Sequence, residues 1–115
     1  MTRFRRPSQS FTQDLSAGAL TFTTTTPNDK PFHLDQVMLK FSVAVSETIT
    51  ITLDSAKGSN YDVVIQEVVL VSESSFVFRP QGRPEVDRGD EIKVQCTNTG
   101  ITGIVYGEVK TSEVS

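Results

Sequence analysis

The 115-residue sequence contains one cysteine, one histidine and no tryptophan. A single cysteine excludes an internal disulfide, and small secreted domains generally depend on several. A zinc site of histidine and cysteine needs three or four ligands, and His33 and Cys96 cannot complete one. We therefore expect neither a metal nor another cofactor, and a fold that is stabilised by core packing or by partner subunits.

The sequence also lacks any apolar run close to the ~20 residues that span a bilayer. Arg3, Arg5 and Arg6 lie near the start. No apolar segment of ~7–15 residues follows them, so the pattern does not predict a secretory signal. We expect a protein that does not contact membranes and that stays in the cytoplasm where it is made.

Charge is distributed unevenly along the chain. The whole sequence has 11 basic and 14 acidic residues, a net charge of -3. Three of the basic residues are Arg3, Arg5 and Arg6, which leaves 8 basic against 14 acidic residues, a net charge of -6, for the remainder. Nucleic-acid binding needs clustered Lys and Arg side chains, so we do not expect an acidic domain to bind nucleic acid.

Alternation of apolar and polar residues predicts β-strands. In 48–53, Ile and Leu alternate with Thr at a period of two. We predict that this strand pairs as a hairpin with the strand 36–45 across Ser46 and Glu47. The residues of 36–45 that share one predicted buried face are Val37, Leu39, Phe41, Val43 and Val45.

Further strands are predicted along the rest of the chain. Mixed alternation in 61–70 suggests a bulge or two short strands. The prolines and glycines of 80–90 predict a loop without regular structure. The other predicted strands are 10–15, 19–25, 75–79, 91–97 and 102–110.

About eight short strands, separated by turn residues and without a helical period, predict an all-β fold. Parallel sheets need crossover helices, so we expect an antiparallel β-sandwich. A jelly-roll-like arrangement fits this number of strands, and a seven-stranded fibronectin-like sandwich is an alternative. We divide the chain into an extended N-terminal arm, 1–10, and a single β-sandwich domain, 11–115.

Candidate catalytic and metal-binding groups have simpler interpretations. His33 and Asp35 could form a triad with a serine, but no nucleophile motif accompanies them. Asp87, Asp90 and Glu91 lack the spacing of a calcium loop and predict a solvated loop. We therefore predict that the protein is not an enzyme.

Other short motifs also predict structural roles. The tripeptide Arg88, Gly89 and Asp90 matches an adhesion motif, but we interpret it as a turn in which Gly89 adopts a positive φ and Asp90 caps local amides. Cys96 alternates with apolar residues, which predicts a buried strand position rather than a reactive thiol. Gly107 is predicted to mark a close approach to a strand backbone.

The segments 49–65 (ITITLDSAKGSNYDVVI) and 89–109 (GDEIKVQCTNTGITGIVYGEV) resemble small β-sandwich virion proteins of tailed bacteriophages. The resemblance rests on the order of strands and turns, notably LDS before a Gly-Ser-x-Tyr-Asp turn and Gly-Asp before the penultimate strand. It implies a capsid decoration, or cement, protein that binds and stabilises the assembled head shell. Its implied partners are the major capsid protein or other virion subunits, in a homo-oligomer or in many copies on a shell.

The resemblance also implies a location on the capsid surface, after assembly in the host cytoplasm. Arginine beside an aromatic residue is common at protein interfaces, so we expect the arm to bind partners. The predicted partner-binding residues are Arg3, Phe4, Arg5, Arg6, Arg79 and Arg83.

Two alternatives remain open at this point. The first is a head-to-tail connector or a tail structural component, which would present the same features. The second is a carbohydrate-binding module, which would share the fold and stack exposed aromatic rings on sugars. Tyr61 and Tyr106 are the tyrosines in the sequence, and both fit strand interiors as well as exposed sites.

Overall fold

The structure is a computed structural model, and it describes residues 8–24, 31–82, 85–87, 89–97 and 103–113. Two single-turn 3-10 helices, Leu15–Ala17 and Ser59–Tyr61, lie in connections. The strands in the described ranges are β1 (Ser8–Asp14), β2 (Leu20–Thr23), β3 (Phe32–Val45), β4 (Thr48–Asp54), β5 (Val63–Val69), β6 (Glu73–Phe78), β7 (Glu85–Val86), β8 (Glu91–Cys96) and β9 (Ile104–Glu113).

The strands form two antiparallel sheets. Sheet A has the order β1-β9-β3-β6, with β7 paired to β3, and sheet B has the order β2-β8-β4-β5. The pairs are nested: β1 with β9, β2 with β8, β3 with β6 and β4 with β5. One long antiparallel hairpin folded over into two layers produces this order, which is that of a jelly roll. The prediction of an all-β, jelly-roll-like sandwich is confirmed.

The predicted hairpin between the third and fourth strands is wrong. β3 lies in sheet A and β4 in sheet B, and the chain crosses between the layers at Ser46 and Glu47. Val45 and Ile49, on either side of the crossing, are both buried and point into the shared core from opposite layers. Alternation shows that each strand has one buried face, but it does not show which strand lies beside it.

Hydrogen bonds join two of the segments that cross between the sheets, the one between β3 and β4 and the one between β5 and β6. Leu70 N, between β5 and β6, donates to Glu47 O at 2.8 Å. Ser72 N donates to Ser46 Oγ at 3.0 Å in the same place. Two crossings therefore lie side by side at one end of the sandwich, as nested pairing requires.

Local departures from regular pairing agree only in part with prediction. The bulge predicted in 61–70 is confirmed, because Ile51 pairs with Gln66 while Thr52 pairs with Val64, which leaves Ile65 as the extra residue. The predicted absence of regular structure from 80–90 is wrong at β7. There Val86 pairs with Phe32, and its buried side chain joins the core.

The start of β1 and the exposure of Val43 also differ from the sequence-based expectation. β1 begins at Ser8, so residues 8–10, which were assigned to the arm, pair with β9 in sheet A. Val43, predicted on the buried face of β3, is 45% exposed. The register between β3 and β6 shifts between Lys40 and Val45, which interrupts the alternation at that point.

The core lies between the two sheets and is made by their alternating apolar faces. β3 and β4 supply its centre, and Cys96 is buried within it as predicted. The buried core residues are Leu15, Leu20, Phe32, Leu34, Val37, Leu39, Phe41, Val45, Ile49, Ile51, Leu70, Val86, Ile92, Val94, Cys96, Val105 and Val109.

An aromatic contact holds β1 against sheet B. The ring of Phe11 stacks on Phe22 with centroids 4.2 Å apart and an interplanar angle of 18°. Phe11 pairs with Gly107 of β9, and a Cβ atom at Gly107 would overlap the Phe11 ring. The predicted close approach at Gly107 is confirmed: the missing side chain makes room for the ring.

We expect Gly107→Ala to lower the free energy of unfolding by ~1–3 kcal/mol, because the new methyl group forces Phe11 out of position. Urea denaturation measures the change. The double variant Gly107→Ala with Phe11→Ala removes the clash, so it should lose less stability than the sum of the single variants. Strictly additive losses would contradict the proposed contact.

Candidate protein interaction surface

The structure describes one of the predicted partner-binding residues, Arg79. Arg3, Phe4, Arg5, Arg6 and Arg83 lie outside the described residues. Arg79 follows β6, and its Nε donates to Gln36 Oε1 of β3 at 2.9 Å. Arg79 is exposed, so its guanidinium lies at the margin of sheet A with one side bonded to the protein's own surface.

A serine does lie beside His33 and Asp35. Ser112 of β9 is the register partner of His33, and its Oγ donates to Asp35 Oδ1 at 3.1 Å. In a catalytic triad the histidine stands between the serine and the carboxylate, whereas here the serine bonds the carboxylate directly. Ser112 is also fully buried. The contact secures the point where Asp35 interrupts the register between β3 and β9.

Gly89 has the predicted positive φ, but Asp90 caps a distant amide rather than the predicted local one. Gly89 has a φ of +85°, and a Cβ there would touch Ala56. Asp90 Oδ1 accepts a hydrogen bond from Ala56 N at 2.8 Å, so the capped amide belongs to the connection between β4 and β5. This carboxylate therefore ties two connections together.

Neither metal-binding clusters nor membrane helices occur in the described part of the chain. No group of three or more His, Cys, Asp or Glu side chains is placed to hold a metal ion there. Among the same residues, no helix has the length and apolar character to cross a membrane.

A buried polar cluster lies where the chain crosses from sheet A to sheet B. Glu47 is 2% exposed, and its Oε1 accepts a hydrogen bond from Thr97 Oγ1 at 2.7 Å. Thr97 Oγ1 in turn accepts from Thr48 N at 2.9 Å. The pKa of the neighbouring Cys96 thiol is raised to about 11, mainly by burial and to a smaller extent by the negative charge of Glu47. The cluster satisfies a buried carboxylate and keeps the thiol protonated.

Exposed valines gather along one side of the sandwich. β5 is the edge of sheet B and β6 the edge of sheet A, and nested pairing places these consecutive strands on the same side. Val69 and Val71 are 66% and 71% exposed. We name this surface the valine edge; its members are Val63, Val64, Val69, Val71 and Val77.

β5 has less protection against strand pairing than the other sheet edges. β1 is mostly polar, β2 has four residues, and β6 carries exposed Glu73 and two exposed serines. Residues 63–71 contain Glu67 as their one charged residue and include neither proline nor lysine. Charges, prolines and short length are the features by which proteins prevent association at edges. The bulge at Ile65 is the feature of β5 that does limit pairing with another strand.

The sequence contained a signal for this surface that we interpreted only as a bulge or as two short strands. Residues 63–71 are apolar at positions that face both sides of a strand. Two apolar faces predict either a strand buried on both sides or an exposed apolar edge. The position of β5 at the end of sheet B decides between them.

Both tyrosines are exposed. Tyr61 belongs to the 3-10 helix between β4 and β5 and is 61% exposed, while Tyr106 of β9 is 42% exposed on the outer side of sheet A. The two rings therefore belong to different layers and do not form one flat platform for a sugar.

No family model matches this sequence, and no curated protein matches it. Solved structures do share the fold. The chain is similar to PirA, with a TM-score of 0.55 and 12% identity over 90% of this chain and 92% of that one. It is similar to a protein of the Bacillus endospore appendages, a family of disulfide-linked pili, with a TM-score of 0.52 and 14% identity over 97% and 89% of the two chains.

A viral protein is a more distant structural neighbour. The virus-like particle of Macrobrachium rosenbergii extra small virus contains a chain with a TM-score of 0.36 and 14% identity over 100% of this chain and 84% of that one. At these identities PirA and the endospore appendage protein show likeness of fold alone, and the fold itself is the all-β jelly-roll sandwich that the strand order defines.

We expect Cys96 in the folded protein to react with iodoacetamide at pH 8 at least about 100-fold more slowly than in denaturant. The raised pKa, about 11 against an ordinary 9.0, reduces the thiolate fraction by that factor, and burial reduces access further. Mass spectrometry of timed samples measures the rate. Stoichiometric labelling of the folded protein at the denatured rate would contradict the buried position.

Proposed function

We propose that the protein is a structural subunit that binds other protein subunits in a multi-copy assembly. Its specific role in this proposal is that of a capsid decoration protein of a tailed bacteriophage, which binds and stabilises the assembled head shell. The observation that supports it best is the valine edge. Exposed apolar residues grouped along one side of a domain are typical of a protein contact site.

The energetics favour a partner that covers this surface. Burial of apolar area stabilises an interface by roughly 25 cal/mol per Å². Val63 and Val64 are each more than half exposed, as are Val69 and Val71, so they still have most of this free energy to gain. A partner strand would in addition pair with the open backbone of β5.

Charge supports an oriented contact. Arg3, Arg5 and Arg6 place three positive charges near the start of the chain, whereas the residues after them carry a net charge of -6. Opposite charges on a shell surface would guide the encounter and set its orientation more than they would add affinity. In this proposal the arginines contact acidic or polar groups on the shell.

Stabilisation of the shell follows from mass action. A protein that binds assembled subunits and not free ones shifts the equilibrium toward the assembled state. Each copy would bridge neighbouring capsid subunits and add buried area across the seams between them. This role requires binding alone, and we propose no catalytic step.

Assembly in this proposal is noncovalent. The pilus protein with a similar fold belongs to a disulfide-linked family. In this chain the single cysteine, Cys96, is 1% exposed. An intermolecular disulfide would require the core to open, so packing and strand contacts are left to hold copies in place.

A connector or tail component is the alternative that shares this surface. The copy number distinguishes it, because such rings contain about six or about twelve subunits, whereas a decorated shell contains hundreds. A carbohydrate-binding module is less well supported, since Tyr61 and Tyr106 lie in different layers.

We expect the purified protein to cosediment with head shells of the phage that encodes it, in hundreds of copies per shell. The triple variant Arg3→Gln, Arg5→Gln and Arg6→Gln should bind with lower occupancy, most clearly at low salt where charge steering is strongest. Quantitative mass spectrometry of the sedimented shells measures occupancy.

Matched lysine variants test the apolar contact in the same assay. Val77→Lys on β6 should reduce occupancy, whereas Thr12→Lys on exposed β1 adds the same charge on the opposite side and should not. Absence of the protein from shells rejects the decoration role, and about six or twelve copies would indicate a connector or tail component.

A further inference from the structure

The backbone of β5 is open on one side. β5 ends the order β2-β8-β4-β5, and in the described ranges it pairs with β4 alone. Every second N–H and C=O group of an edge strand points away from its sheet. The partner that best fits such an edge is another extended strand, because it forms hydrogen bonds with these backbone groups and also covers the exposed side chains of β5.

The side chains of β5 suit a second copy of the same strand. Outside its first six residues the chain carries a net charge of -6, so contacts between two copies generally bring negative charges together. Residues 63–71 contribute one carboxylate, Glu67, to such a contact. Like-charge repulsion between two copies paired at β5 is therefore small. The arm of a neighbouring copy fits this edge less well, because its three arginines would meet valines and a single acid.

A two-fold pairing of β5 with itself has a register without opposed carboxylates. In an antiparallel pair centred on Val68, each Val68 opposes the partner's Val68, and Glu67 opposes the partner's Val69. Val68 packs partly buried against the core, so two copies would join their cores beneath one continuous sheet. Exposed Val69 would be covered across the same junction.

We propose that two copies of this chain associate through β5 about a two-fold axis, which joins their four-stranded sheets B into one eight-stranded sheet. This inference rests on the proposed function, because it names the first partner of the valine edge. The remaining valine on β6, Val77, stays available for the shell. The dimer is then the unit that decorates the shell.

The first test is the mass of the protein in solution, by size-exclusion chromatography with light scattering. We expect wild type to have twice the 12.7 kDa mass of one chain at high concentration. Val69→Glu should be monomeric, because it places a carboxylate opposite the partner's Glu67 at two points of the junction, while Thr12→Glu should remain dimeric. Circular dichroism establishes that both variants fold. A monomeric wild type, or a dimeric Val69→Glu variant, overturns the inference.

The second test fixes the register by disulfide trapping. Buried Cys96 gives little background, so a single introduced cysteine reports on its own position. Val68→Cys should form a disulfide-linked dimer under mild oxidation, because the two positions oppose each other. Val64→Cys is the matched control, since its two copies would lie about 26 Å apart at ~3.3 Å per residue. Equal trapping of both variants overturns the two-fold pairing.

The two tests separate this inference from the proposed function. A monomer that still decorates shells refutes the β5 dimer and retains the decoration role. A dimer that binds no shell supports the pairing and rejects that role. If the triple arginine variant alone becomes monomeric, the contact between copies belongs to the arm and the β5 pairing is wrong.

Discussion

The crossing of the chain between the two sheets at Ser46 and Glu47 constrains the rest of the structure. It places β3 and β4 in opposite layers, so that their apolar faces meet in one core. The crossing is secured by the hydrogen bond from Leu70 N to Glu47 O and by the bond from Thr97 to the buried Glu47 carboxylate. A buried carboxylate is tolerated only where such partners are supplied, so the cluster and the topology depend on each other.

The position of the valine edge follows from this topology. Because β3 and β4 are followed by their partners in nested order, β5 and β6 become the outer strands on one side, while β1 and β2 become the outer strands on the other. The two sides differ in chemistry. β1 and β2 are polar or short, and β1 is closed against sheet B by the stacking of Phe11 on Phe22. The β5 side presents valines and an open backbone.

That asymmetry connects the fold to a role in assembly. A domain that exposes an unprotected apolar edge is prone to uncontrolled association unless a specific partner covers the edge. The net charge of -6 outside the first six residues limits nonspecific contact, and the low charge of β5 leaves one route for contact open. A jelly roll does not by itself determine function, so the case for a structural subunit rests on this surface.

Local information in the sequence accounts for the strands. Period-two alternation in 36–45 and 48–53, and the positive φ of Gly89, depend on neighbours along the chain, and the structure has them apart from the exposed Val43. The class of sandwich also followed, because eight such strands without helices leave few arrangements. The buried position of Cys96 followed from its place in the alternation.

Only the tertiary structure decided which strands are neighbours and which edges stay open. A hairpin of β3 and β4 and a crossing between layers present the same alternation, because both bury one face of each strand. The exposure of Val43 depends on a shift in its pairing with β6, and that of Val69 on β5 being the last strand of sheet B. These properties arise from contacts between residues far apart in the chain. The sequence by itself therefore determined the elements and the core, and the long-range pairing decided the surface.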